Sequence, residues 1–334
     1  MPAQTKPAPD SSPKQTSGSP PHDAPSYVLV GPLRAGTTML HLILNSHPQI
    51  ASVGEFEEAV TILDNSGWPK LDHYRNWLSQ HRVASARNYA PQPQATTYAQ
   101  HAQGMWRQLA SKHGKKVIGC NIHSRFDRVR DLWPKTKFIH LIRDPRDVAN
   151  SCVGMGWYGH PVKATSIWLD TARRWNTLAK SIPTQDRIVI RYEDLLKNPE
   201  HELGRCCELL GLSYHPDMLK FFETSTYEPL NPKLAEQWPK KMKPRTAEII
   251  DALCADLMKP YGYPLSTPNP KHAKPLESIS ITIKNRINRF RWRVARYGFL
   301  LTLKWAMVKR FPLTNPLRMA TIRQIHQIDT QHLR

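Results

Sequence analysis

Between Val30 and Met39 the chain reads Gly31-Pro-Leu-Arg-Ala-Gly-Thr-Thr38, which combines two glycines, one fixed positive charge and two adjacent hydroxyls. Set between an apolar strand and a helix, such a loop aims backbone N–H groups and the positive helix terminus at an anion. Arg34, Gly36, Thr37 and Thr38 are the candidate contacts, with the backbone at Ala35 among them. A loop built for a γ-phosphate carries Lys before its Ser or Thr, with the hydroxyl on Mg²⁺. Here Thr37 takes the Lys position, so the anion expected lacks a γ-phosphate. An ordinary glycine-containing turn would leave the same glycines.

A second segment, Phe138 to Ser151, repeats the plan of strand, charged turn and helix. Arg143 falls at the carboxyl end of the strand, the ligand edge of an open α/β sheet. Ser151 follows eight residues later, about two helical turns along, so its hydroxyl can return toward a group that Arg143 holds. The competing use of Arg143 is a salt bridge to Asp144 or Asp147; Arg146 is expected to make one. Two anion sites on one sheet suit a nucleotide phosphorylated at both ends.

The elements that must position these groups can be read from the pattern. Tyr27–Val30 is a short apolar run, as are Lys116–Cys120, Lys137–Arg143 and Arg187–Tyr192, and each reads as a buried strand. Helical spacing runs through Thr37–Ser46, Asp144–Cys152, Ala164–Lys180 and Pro199–Leu210. Alternating strands and helices predict an α/β fold: a mostly parallel sheet with helices on both faces. Residues 56–114, rich in Trp, Tyr, His and Gln, read as an inserted helical cap. Trp168 and Trp175 share a helix face and are expected in the core, and Gly154–His160 reads as a flexible aromatic loop.

Together the two anion segments resemble the sulfotransferase superfamily that uses 3′-phosphoadenosine 5′-phosphosulfate (PAPS), over residues 27–265. The bacterial and tyrosylprotein-type branch is the nearest match. That rests on Arg34-Ala-Gly-Thr-Thr38, Asn45-Ser-His-Pro48, Glu55, Arg191-Tyr-Glu-Asp-Leu195, and Asn231, Trp238 and Gly262-Tyr263. The resemblance implies a P-loop-type sheet with PAPS as co-substrate and no metal. The first loop would hold the 5′-phosphosulfate, and Arg143 with Ser151 the 3′-phosphate. Tyr192 would contact adenine. Two bases compete: Glu55, where the tyrosylprotein-type enzymes place a Glu, is favoured over His123, where small-molecule sulfotransferases place a His. Ala35 stands where the family usually has Ser, and Asn121 where a Lys often follows the strand. Arg34, His123 or Lys241 would then have to supply the missing charge.

The chain has 334 residues and a formal charge of +20. Residues 1–25 hold seven prolines and almost no aliphatics, so they are expected to be disordered. Residues 26–265 make the catalytic domain. Residues 266–334 form a basic extension, with 14 Lys and Arg against Glu277 and Asp329. Within it Ile283, Ile287, Phe290, Val294, Tyr297, Leu301, Trp305 and Val308 recur at helical spacing. Such a helix either lies on an anionic membrane, over 283–310, or packs on the catalytic body. No nucleic-acid module is recognisable, and no apolar run is long enough to span a bilayer. Five scattered cysteines without C-x-x-C spacing point to reduced thiols and a cytoplasmic setting, with or without membrane association. The reading is a sulfotransferase acting on an acceptor hydroxyl, such as a sugar or lipid-linked sugar. Its rivals are an ATP-dependent small-molecule kinase and a non-catalytic membrane- or polyanion-binding protein on a degenerate nucleotide fold.

Overall fold

A computed structural model describes residues 22–331, apart from 64–66, 82, 85–86 and 312–314. The disorder expected for residues 1–25 therefore falls mostly outside the described residues. The chain is tied down just before β1, where the Pro25 carbonyl accepts from Thr136 Oγ1 at 3.1 Å.

Five strands form one sheet in the order β2-β3-β1-β4-β5, every pair parallel. They are β1 (Tyr27–Val30), β2 (Ile50–Glu55), β3 (Val117–Asn121), β4 (Lys137–Ile142) and β5 (Arg187–Arg191). β1 lies at the centre with all four residues buried, as an apolar run covered on both faces must. Four strands were legible in the sequence. β2 was not: it is an edge strand, it contains Gly54 at φ 78°, and its register shifts between Ser52 and Glu55.

The helices are α1 (Thr37–Asn45), α2 (Leu71–Gln80), α3 (Tyr98–Ala110), α4 (Val129–Leu132), α5 (Pro145–Gly154), α6 (Pro161–Ala179) and α7 (Tyr192–Lys197). They continue with α8 (Pro199–Leu209), α9 (Trp238–Lys241), α10 (Pro244–Met258), α11 (Pro275–Tyr297), α12 (Phe299–Val308) and α13 (Pro316–Gln331). Strand alternation sorts the core into two layers. Tyr27, Leu29, Ile139 and Leu141 pack against Leu40 and Ile43 of α1 and Cys206 of α8. Val28, Val30, Ile118 and Phe138 meet Met105 and Trp106 of α3 and Trp175 of α6. The 56–114 segment thus covers one face of the sheet, with α3 as a core helix. Trp168 and Trp175 are both buried, and all five cysteines are buried and free.

Candidate active site

The loop after β1 is fixed by its two glycines. A Cβ on Gly31 would stand 2.4 Å from the Leu141 carbonyl oxygen of β4. Gly36 has φ +102°, and a Cβ there would lie 2.8 Å from two ring carbons of Tyr192. The second glycine is therefore demanded by backbone conformation and by Tyr192. Helix α1 then starts at Thr37 with no side-chain cap and no acid in its first turn. Its positive end is left for an anion.

Arg34 adopts φ 72°, a left-handed conformation that costs a non-glycine residue about 1–3 kcal/mol unless its surroundings hold it. Two contacts do so. Its Nε donates to Ser151 Oγ at 3.0 Å, and its carbonyl accepts from Arg143 Nη1 at 3.5 Å. The guanidinium of the first loop thus reaches the second anion site, 117 residues away in sequence.

Arg143 lies over the Tyr192 ring with its guanidinium carbon 4.3 Å from the centroid. Its nearest acid, Asp147, is 3.8 Å away, and its Nε is buried with no hydrogen-bond partner. The other two guanidinium nitrogens of Arg143 donate to main chain, Nη1 to the Arg34 carbonyl and Nη2 to the Leu234 carbonyl at 3.4 Å, and the side chain lines the cavity described below. The backbone is held from behind, where Trp168 Nε1 donates to the Arg143 carbonyl at 2.8 Å. Arg146 has the structural use expected of it. It is fully buried, pairs with Asp144 at 2.6 Å and Asp251 at 3.1 Å, and lies 3.8 Å over Trp238. Asp144 in turn donates its N–H to Glu193, whose other oxygen accepts from Tyr263. Burial pushes the Glu193 carboxyl above its usual range. The Arg-Tyr-Glu-Asp and Gly-Tyr motifs thus lock the start of α5, the helix that carries Ser151.

Arg34, Gly36, Thr37, Thr38, Arg143, Ser151 and Tyr192 line one cavity of about 470 Å³. Met39 and Leu196 add apolar surface, and the facing wall is the irregular segment from Thr226 to Asn231, with Leu234. Asn231 was singled out in the sequence; the rest of that wall lacks periodicity and gave no signal. Two expected contacts lie elsewhere. Ala35 is fully buried and its N–H donates to the Pro32 carbonyl, so it does not line the cavity. Lys241 lines a separate groove against α11.

Both candidate bases sit at the carboxyl edge of β2 and β3, outside that cavity lining. The bulge between Ser52 and Glu55 re-aims the end of β2, a common use of bulges beside functional sites. His123 Nδ1 is 3.0 Å from the Gly31 carbonyl, which makes Nδ1 the protonated nitrogen. Nε2 then faces Glu55 Oε1 at 4.0 Å. The Glu55 side chain is 60% exposed, whereas that of His123 is 10% exposed. The neighbouring acids have other partners: Glu57 accepts from the Ser124 N–H at 3.2 Å, and Glu58 is buried against Arg87 and Tyr89. Asn121, paired with Glu55 across the strands, leaves its Oδ1 buried without a partner.

A glycine-bounded loop leading into a helix, an Arg and a Ser joined to it from beyond the adjoining strand, and an all-parallel sheet define an α/β protein of the phosphate-loop type. The chain belongs to the sulfotransferase family, whose profile matches residues 25–216. It is 25% identical over 194 residues to an omega-hydroxy-beta-dihydromenaquinone-9 sulfotransferase of Mycobacterium tuberculosis, covering 51% of this chain and 47% of that protein. The chain thus spans about half the length of that curated relative. It is 21% identical over 289 residues to a protein-tyrosine sulfotransferase of Caenorhabditis elegans, covering 77% of this chain and 72% of the relative. Among solved structures, the sulfotransferase domain of the curacin biosynthetic pathway aligns with a TM-score of 0.55 at 17% identity. That alignment covers 72% of this chain and all but 1% of the domain, and it supports the fold.

Proposed function

We propose that this protein transfers the sulfuryl group of PAPS to an acceptor hydroxyl by in-line displacement. The observation that carries the reading is the bond from Arg34 to Ser151. It joins the first phosphate loop to the second anion site, so a nucleotide with phosphate at both ends meets one continuous set of donors. Backbone N–H groups at the start of α1, with Thr37 and Thr38, hold the 5′-phosphosulfate. Arg143 and Ser151 hold the 3′-phosphate, with Arg34 between the two sites and Tyr192 forming the wall beside them.

In the reaction the acceptor oxygen forms a bond to sulfur while the sulfur–oxygen bond to the 5′-phosphate breaks. Adenosine 3′,5′-bisphosphate leaves, and the acceptor proton passes to Glu55. Positioning and fixed charge supply most of the acceleration in such a displacement. Glu55 is the base because its carboxylate is open to an arriving acceptor, whereas His123 is enclosed and hydrogen-bonded to the loop. His123 positions the edge of the loop and stands beside the carboxylate. The relatives named for a menaquinone hydroxyl and a protein tyrosine favour an acceptor whose hydroxyl is presented by a larger molecule, a lipid or lipid-linked sugar included.

The test is sulfuryl transfer from labelled PAPS into fractionated lipid, saccharide and peptide acceptors. Glu55→Gln is expected to lower kcat about 100-fold or more, the ordinary contribution of a general base. His123→Asn is expected to act mainly on donor affinity. Wild-type kcat in Glu55→Gln together with loss of turnover in His123→Asn would transfer the base to His123. Binding of ATP–Mg²⁺ without binding of adenosine 3′,5′-bisphosphate would replace the reading with a kinase.

A further inference from the structure

The basic extension divides into two surfaces with opposite uses. One side of α11 is seated on the catalytic body. The Gly159 N–H donates to Asn285 Oδ1 at 2.8 Å, and the Gly159 carbonyl accepts from Asn288 Nδ2 at 2.9 Å. Trp292 occupies the space where a Cβ on Gly156 would project, and Ile281 is buried. At the start of the helix Glu277 receives two bonds from Arg245, at 3.0 and 2.7 Å. The Gly154–His160 loop, expected to be flexible, is therefore clamped by α11.

The other side of α11 is apolar and uncovered. Leu276, Ile279, Ile283, Ile287 and Phe290 follow one another at spacings of three and four, with exposures from 81% down to 45%. The chain turns at Gly298, φ 81°, which replaces the single helix expected over this region with two. The apolar strip continues across the turn, because the Phe290 and Phe299 rings meet edge to face at 6.4 Å. Leu300, Leu303 and Met307 extend it along α12 at exposures of 43% or more. Lys284, Arg286 and Arg291, all exposed, follow residues of the strip by one to three positions, which places them along its borders.

We propose that this outward face of α11 and α12 lies in the headgroup layer of an anionic lipid bilayer. The occupant follows from charge. A strip of Leu, Ile and Phe bordered by exposed Lys and Arg has acyl chains as its apolar complement and acidic headgroups as its ionic one. A second copy of the chain would bring the same positive border against itself. No helix among the described residues is long and apolar enough to cross a membrane, so the contact is in-plane.

The test uses the full chain in vesicle co-sedimentation, with phosphatidylcholine alone and with about a third phosphatidylserine. Wild type is expected to bind the mixed vesicles at least tenfold more tightly than the neutral ones. Ile283→Asp/Ile287→Asp should lower binding to mixed vesicles at least tenfold. Lys284→Ser/Arg286→Ser/Arg291→Ser should abolish the preference for phosphatidylserine. All these positions are exposed and outside the donor cavity, so both variants should keep wild-type affinity for adenosine 3′,5′-bisphosphate, which reports folding independently. Failure of wild type to sediment with either vesicle overturns the proposal, as does undiminished binding by Ile283→Asp/Ile287→Asp. A wild-type dimer in sedimentation velocity that Ile283→Asp/Ile287→Asp converts to monomer also overturns it, assigning the strip to self-association.

Discussion

Gly36 is the position where the structure makes its sharpest quantitative demand. Replacing it with alanine has two separable costs. Holding an L-residue at φ +102° costs about 1–3 kcal/mol, as for other strained conformers. Placing a Cβ 2.8 Å from two carbons of the buried Tyr192 ring is an overpacking of about 1–3 kcal/mol. Gly36→Ala should therefore destabilise by about 2–6 kcal/mol in urea unfolding. Donor binding should suffer as well, because Tyr192 supports Arg143 at 4.3 Å. The double variant Gly36→Ala/Tyr192→Ala separates the costs. With the ring removed, the steric part disappears and the backbone part stays, so the alanine should cost about 1–3 kcal/mol less in the Tyr192→Ala background. Strict additivity of the two substitutions would refute the claim that Tyr192 and Gly36 determine each other.

Four further expectations follow from the structure. Arg143→Ala removes a guanidinium that lines the cavity and should weaken adenosine 3′,5′-bisphosphate binding about 10- to 100-fold, in the range of a charged hydrogen-bonded contact. Lys241→Ala, outside the cavity lining, should leave that affinity within about twofold, and calorimetry compares the two variants directly. Asp251→Asn should destabilise by about 3–5 kcal/mol, because it takes a partner from the fully buried Arg146; thermal unfolding reads this. His140 is fully buried against Trp175, and burial lowers its pKa from 6.5 to about 3. The folded state refuses a proton that the unfolded state accepts, so this contribution is complete above pH 6.5 and declines as pH falls toward 3. The loss should reach about 2 kcal/mol by pH 5. His140→Phe should flatten that slope in urea midpoints measured at pH 7 and pH 5.

Much of the site was legible because its signals are local. An apolar run, a glycine turn and a helix in direct succession announce β1, the loop and α1, and Arg143 and Ser151 lie just past one strand and on the helix after it. What could not be read depends on contacts distant in sequence. Nothing near Arg34 says that its guanidinium turns to Ser151, or that Tyr192 presses on Gly36. β2 was hidden because a bulged edge strand with a glycine at positive φ breaks the alternation on which strand reading depends. The cavity wall at Thr226–Asn231 has no period at all. Periodicity also ran too far in the tail, treating Ile283 and Val308 as one face. The structure exposes Ile283, buries Val308 and turns the chain between them. Lys241 was placed by resemblance alone, and its position in another groove follows from α9, a single turn whose direction the sequence does not encode.

Titration calorimetry with adenosine 3′,5′-bisphosphate, AMP and ATP–Mg²⁺ reads donor recognition by the two sites. Tight binding of the bisphosphate is expected, with AMP weaker by a factor of about 10 or more for the missing 3′-phosphate contacts, and that difference should be lost in Arg143→Ala. Equal affinity for AMP and the bisphosphate would contradict this, because Arg143 and Ser151 would then hold no phosphate.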